Sequence, residues 1–237
     1  MKEIRTGWCR QPAILEHSAV AGVTVWRNNQ PGAADWPFLG SPNPVCKLTL
    51  ARIIVIRHCE KDGSVKHCSA VGYRRAAWIP SLFLGAGARW PVPARLYARA
   101  LEQPHYVLRS VETLTPLAQQ IGVDINATYG VQNVDKFAAL LKHDVESGAL
   151  CGKVVLICWK HENIPVLIKK LRYALPKHFK WQSNDYDKAV VIDYTLSRDG
   201  RDSKVSGTVT RQGFIDRSDD DLFYRDMNND DDDGGGR

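Results

Sequence analysis

Three places in this chain combine residue types that suit one kind of chemistry. Arg57-His58 and His161-Glu162 each follow an apolar run, and Arg109 opens a segment with helical periodicity. In open α/β sheets ligands bind beyond the carboxyl ends of strands, so residues at such ends are candidates to meet. Two Arg and two His converging there would form a pocket for a dianion. Arginine presents a planar fork that pairs oxygens two at a time and keeps its charge. A helix start adds free backbone N–H groups and a positive dipole end. A phosphate group matches this set. One imidazole, held in a single tautomer by a hydrogen bond at its other nitrogen, would offer a lone pair to phosphorus. In-line attack would give a phosphohistidine that water then hydrolyses. The remaining cations would balance charge on the equatorial oxygens, and a carboxyl group would protonate the leaving oxygen.

The elements that must position these residues are legible. Residues 51–56 (Ala-Arg-Ile-Ile-Val-Ile) and 153–159 (Lys-Val-Val-Leu-Ile-Cys-Trp) read as buried strands. The first ends at Arg57-His58 and the second runs into Lys160-His161-Glu162-Asn163. Ser69 suits the N-cap of a helix through Tyr73, Ala76, Ile79 and Leu82. Residues 96–98 read as a brief strand, and residues 109–121 as a helix with Val111, Leu114, Leu117, Ala118 and Ile121 on one face. Asn133 suits the cap of a third helix, a fourth runs from Pro165 to about Tyr173, residues 189–194 form a strand, and residues 208–214 a last, antiparallel one. Strands alternating with helices predict a three-layer α/β/α sandwich with a mostly parallel central sheet.

At these positions the chain resembles the histidine phosphatase superfamily (phosphoglycerate mutase-like). Residues 54–61, Ile-Val-Ile-Arg-His-Cys-Glu-Lys, are similar to its Arg-His-Gly signature. Residues 69–76, Ser-Ala-Val-Gly-Tyr-Arg-Arg-Ala, resemble the helix that follows, with its pattern L-S-x-x-G-x-x-R-A. Residues 109–118, Arg-Ser-Val-Glu-Thr-Leu-Thr-Pro-Leu-Ala, resemble its R-S-x-E-T-x-x-P-L-A segment, and residues 153–165 its last core strand and second catalytic His. The motifs occur in family order over about residues 50–195. The resemblance implies that His58 is the phosphorylated nucleophile, that Arg57 and Arg109 bind the phosphoryl group, and that His161 completes the pocket. Glu162 stands where the acid phosphatase branch places its proton donor, and is the expected acid. Cys59 replaces the family's usual Gly or Ala and is read as a small buried apolar residue. Glu112 is read as a brace for its helix start.

Composition bounds the rest. The chain has 237 residues, 44% apolar and 24% charged, which excludes a fibrous or wholly disordered protein. A chain of this length buries enough surface to fold without cross-links. No apolar run is long enough for a membrane helix, and residues 1–5 lead into no secretory signal. The six Cys lack C-x-x-C spacing and two lie in apolar strand-like runs; without a secretory signal, reduced thiols and a cytoplasmic location are expected. Residues 1–47 form an aperiodic, Trp- and Pro-containing N-terminal extension, residues 48–215 the histidine phosphatase-like domain, and residues 216–237 an acidic tail whose composition predicts disorder. That tail holds nine Asp and three Arg, net −6, so the rest of this +6 chain carries +12. A basic body attracts anions.

Blander readings compete at several places. His58, Cys59, His67 and Cys68 offer soft metal ligands, yet His58 and Cys59 leave a strand on opposite faces, so no metal site is expected. Residues 84–87 lack the remainder of a dinucleotide fingerprint. Lys169, Lys170, Arg172, Lys177, His178 and Lys180 read as a solvated basic face. The expected function is hydrolysis of a phosphomonoester through a phosphohistidine, with no cofactor. The expected partner is a phosphorylated small-molecule or protein substrate; no membrane is expected and nucleic acid is disfavoured. The alternatives are a mutase-type phosphotransferase, or a non-catalytic binder of phospho-ligands or polyanions on the same fold.

Overall fold

The computed structural model describes residues 51–61, 63, 66–102, 106–195 and 204–216, and the backbone alone of 19–20, 23–24, 50, 196 and 203. The chain divides into two units, Met1–Pro37 and Phe38–Arg237. In the first, strands β1 (Ala19–Val20) and β2 (Val23–Thr24) pair antiparallel. The reading of residues 1–47 otherwise lies outside the described residues, as does the acidic tail beyond Asp216.

The second unit holds a six-stranded sheet. Its strands are β3 (Leu50–Arg57), β4 (Pro93–Ala98), β5 (Ile125–Asn126), β6 (Val154–Trp159), β7 (Lys188–Leu196) and β8 (Ser203–Arg211), in the order β5-β4-β6-β3-β7-β8. The pairs β5/β4, β4/β6 and β6/β3 are parallel; β3/β7 and β7/β8 are antiparallel. The antiparallel pairings are confined to the side of the sheet where β7 returns against β3.

Side chains alternate across a strand, and β3 shows what this does to the core. Ile53 and Val55 join one apolar cluster with Val155, Ile157 and Trp159 of β6. Ile54 and Ile56 join another with Leu156 and Cys158. Apolar residues on both faces require a cover on both faces. Helices α3 (Val134–Glu146) and α4 (Ile164–Lys170) supply Phe137, Leu141, Ile164, Leu167 and Ile168 to the first cluster. The second cluster takes Val111, Leu114 and Leu117 from α2 (Arg109–Ile121), and Ile79 and Leu82 from the 3₁₀ turn that continues α1 (Ala70–Trp78). The three-layer α/β fold is therefore as the strand-helix alternation predicts.

Boundaries differ where local chemistry was ambiguous. Ser69 caps α1, its hydroxyl accepting from Gly72 N at 3.2 Å. Asn133 occupies the cap position of α3, but its side chain turns back to accept from Gly130 N at 2.6 Å. The last strand begins earlier than the apolar pattern suggests, because β8 pairs with the whole length of β7. The thiol reading is overturned. Cys59 and Cys68 form a disulfide, and Cys151 is also disulfide-bonded. Among the described residues Cys158 is the free cysteine, buried in the sheet. The reduced thiols that accompanied the expected cytoplasmic location are therefore not found at these three positions.

Candidate active site

Strand pairing brings the two histidine clusters to one edge. Arg57 is the register partner of Trp159, and His58 N donates to Trp159 O at 3.2 Å. His161 lies two residues beyond Trp159 on the same edge. The next strand contributes as well: Arg99 follows β4, its N–H donating to Cys158 O at 3.1 Å.

His58 is 4% exposed. Its Nδ1 lies 2.8 Å from Cys59 O. A carbonyl can only accept, so Nδ1 carries the proton and the lone pair is on Nε2. Burial, with Arg109, Arg57 and Arg75 nearby, pulls the His58 pKa down to about 3, against the opposing effect of the Cys59 carbonyl. The imidazole is therefore neutral at ordinary pH.

Arg57 is 1% exposed. Its Nη1 donates to the carbonyls of Ser183 (2.7 Å), Asp185 (3.2 Å) and Gln182 (3.3 Å). Its guanidinium carbon lies 3.7 Å from the Tyr186 ring centre, a cation–π contact. These bonds fix one corner of the fork and leave Nε buried with no hydrogen-bond partner among the described residues. Arg109, buried at the first position of α2, is held through Thr113. The Thr113 hydroxyl donates to Arg109 O at 2.6 Å and accepts from Cys59 N at 2.7 Å. Burial lowers the pKa of both arginines.

His161 is mostly buried, and its Nδ1 has no hydrogen-bond partner among the described residues. Burial, then Arg57, lowers its pKa, while Glu162 opposes. Glu162 differs from the proton donor expected of it. Its side chain is 57% exposed and pairs with Lys160 at 2.5 Å, its other oxygen lying 4.0 Å from His161 Nε2. Lys160 holds its carboxyl below the usual range. The geometry gives it an electrostatic place beside His161.

The loop after His58 is cross-braced. The disulfide spans it from Cys59 to Cys68, with Cα atoms 5.6 Å apart. The Glu112 carboxylate accepts from Cys68 N (2.8 Å) and Tyr73 Oη (2.9 Å) and bonds His67 Nδ1 (2.6 Å). Glu112 thus braces the helix start, as expected. Cys59, Cys68 and Glu112 lie close enough to hold a metal ion, but two of the three are committed to the disulfide. Thiolates, the form that binds metal, are not on offer there.

Tyr186 was not singled out from the sequence. Its ring meets His58 edge-on, with centroids 6.1 Å apart, and its loop holds Arg57. It reaches the site because β7 runs against β3. An antiparallel strand brings its incoming loop, rather than its outgoing one, to the carboxyl edge. A search confined to residues that follow strands passes over it.

No family model matches this chain, and no curated protein does. Solved structures do. The protein histidine phosphatase SixA, complexed with tungstate, is 12% identical with a TM-score of 0.44, over 68% of this chain and 97% of that one. A mycobacterial glucosyl-3-phosphoglycerate phosphatase is 13% identical with a TM-score of 0.49, over 68% and 99%. Phosphoserine phosphatase from Entamoeba histolytica, in complex with 3-phosphoglyceric acid, is 15% identical with a TM-score of 0.42, over 68% and 98%. Each of these three is a phosphatase by name, and each likeness stands at 15% identity or less and a TM-score below 0.5.

Proposed function

We propose that this chain hydrolyses phosphomonoesters, with His58 as the nucleophile. One observation carries the reading: a buried, neutral imidazole, its Nδ1 proton committed to the Cys59 carbonyl, sits among arginines with its Nε2 lone pair available. Arg57 Nε and His161 Nδ1, both buried and without a hydrogen-bond partner among the described residues, supply further polar atoms to the same edge. Buried polar atoms of this kind are rare and call for a function.

In the proposed reaction Arg57 and Arg109 bind the phosphoryl oxygens and His58 Nε2 forms the bond to phosphorus as the ester oxygen departs. The arginines stabilise charge on the equatorial oxygens throughout. The Cys59 carbonyl then faces the Nδ1–H of a more acidic, phosphorylated ring, so that hydrogen bond strengthens as the reaction proceeds. His161, beside the incoming dianion and the Glu162 carboxylate, takes up a proton and returns it to the leaving oxygen. Water then attacks the phosphohistidine, regenerating His58 and releasing inorganic phosphate.

The test is hydrolysis of a generic aryl phosphate by wild type and His58→Ala, with denaturing quench to trap phosphoprotein. Wild type should turn over and carry an acid-labile, base-stable phosphoryl group. His58→Ala should lose both while still binding inorganic phosphate. Turnover that survives in the variant sinks the assignment, and phosphate binding without turnover in wild type makes the chain a binder.

A further inference from the structure

The motif after the site loop contains two residues, Gly72 and Arg75, to which the proposed reaction gives no task. Gly72 explains how α1 approaches. A Cβ there would stand 2.6 Å from Glu60 O and 3.0 Å from Cys59 Cβ. Without that side chain the helix lies directly on the backbone following His58, and Ser69 N donates to Glu60 O at 2.9 Å. Arg75, three residues on, is carried under the nucleophile and is 1% exposed.

All three of its guanidinium nitrogens donate. Nη2 donates to His58 O at 2.9 Å and Arg57 O at 3.4 Å, Nε to Glu60 Oε2 at 2.8 Å, and Nη1 to Gln212 Oε1 at 3.0 Å. Gln212 in turn donates from Nε2 to Tyr186 O at 2.9 Å and Lys188 O at 3.1 Å. The ladder from β3 to β7 ends at Ile56 with Ala189, and that to β6 at Arg57 with Trp159. The carbonyls of Arg57 and His58 therefore lie where the sheet runs out of donors, and buried carbonyls need them. Burying a cation costs several kcal/mol unless it is well paired, and an apolar residue would fill the same space more cheaply. What the guanidinium adds is direction, tying the backbone of His58 to the loop that carries Tyr186.

The geometry points to Arg75 as the positioning residue of this site: through the His58 and Arg57 carbonyls and Gln212 it fixes the line along which His58 meets phosphorus, without touching the phosphoryl group. This rests on the phosphomonoesterase reading above. A misplacement of about 1 Å costs on the order of a hundredfold in rate. Arg75→Lys keeps the charge but cannot reach all four acceptors. It should lower kcat on an aryl phosphate about tenfold to a hundredfold, leave inhibition by inorganic phosphate within about twofold, and shift the His58 ring resonances in NMR spectra. A kcat near wild type, or phosphate inhibition that weakens in step with kcat, overturns the assignment. If Arg75→Lys does not fold, Gln212→Leu takes its place. It cuts the link to the Tyr186 loop and should lower kcat with phosphate inhibition unchanged; an unaltered kcat is then the contrary result. If wild type hydrolyses nothing, the phosphomonoesterase reading fails by itself. The His58 ring resonances then decide on Arg75, and an unmoved ring refutes it.

Discussion

The two histidine positions share one sheet edge but are held very differently. His58 is fixed from four directions: by the Cys59 carbonyl at Nδ1, by Thr113 on the next backbone N–H, by Arg75 on its own carbonyl, and by a disulfide one residue away. Among the described residues His161 has no hydrogen bond at Nδ1, and the carboxylate beside it is largely in solvent. The difference matches the division of labour proposed above. A nucleophile must present one lone pair along one line, which rewards rigid support. A group that takes up and returns a proton must accommodate two charge states, and an exposed carboxylate nearby serves that without fixing the ring.

Substitution at the two positions should therefore be unequal. His58→Asn should cost about 10⁴-fold in kcat, and His161→Asn about 10²-fold with trapped phosphoprotein still detectable. Equal losses would break the comparison. The brace itself can be removed with Cys59→Ser and Cys68→Ser together. By loop entropy a bridge of sequence separation 9 contributes about 2–3 kcal/mol, so the double variant should unfold at lower urea. Full retention of stability would place the brace elsewhere.

The buried His58 also predicts a pH dependence of folding. Its pKa falls from the ordinary value to about 3 in the folded state, so between these values the unfolded chain binds the extra proton. Its contribution is fully present above the unfolded pKa and is lost as pH falls through this window, by at most about 1.4 kcal/mol per pH unit. Denaturant melts from pH 6.5 down to 4 should steepen in this way for wild type and less for His58→Gln. Parallel curves would contradict a buried neutral ring. The smallest effect belongs to Glu162→Gln, which should change kcat less than about fivefold. A loss as large as that of His161→Asn would restore Glu162 as the proton donor.

Much of this was readable from local pattern. The β-branched run of β3, the apolar run of β6 and the one-sided periodicity of α2 each placed a site residue at an element's end, because burial on both faces, or on one stripe, imposes those patterns. Arg57, His58, Arg109 and His161 followed from them. The disulfide did not, since a pair nine apart in a chain without C-x-x-C spacing carries no local signature; only the return of the loop onto α2 brings the sulfurs together. Glu162 was expected as the acid because the resemblance places the proton donor of the acid phosphatase branch after the second His, and a motif position says nothing about Lys160 pairing with it.

The sequence by itself determined which side chains end the strands and open the helix, because secondary structure is written in spacings of a few residues. Only the tertiary structure decided that Tyr186 and Gln212 join the site, since both arrive with an antiparallel strand and its neighbour far along the chain. It also decided the state of His58. Neither a tautomer nor a pKa belongs to a residue alone; both are set by the carbonyl, the arginines and the exclusion of water around it.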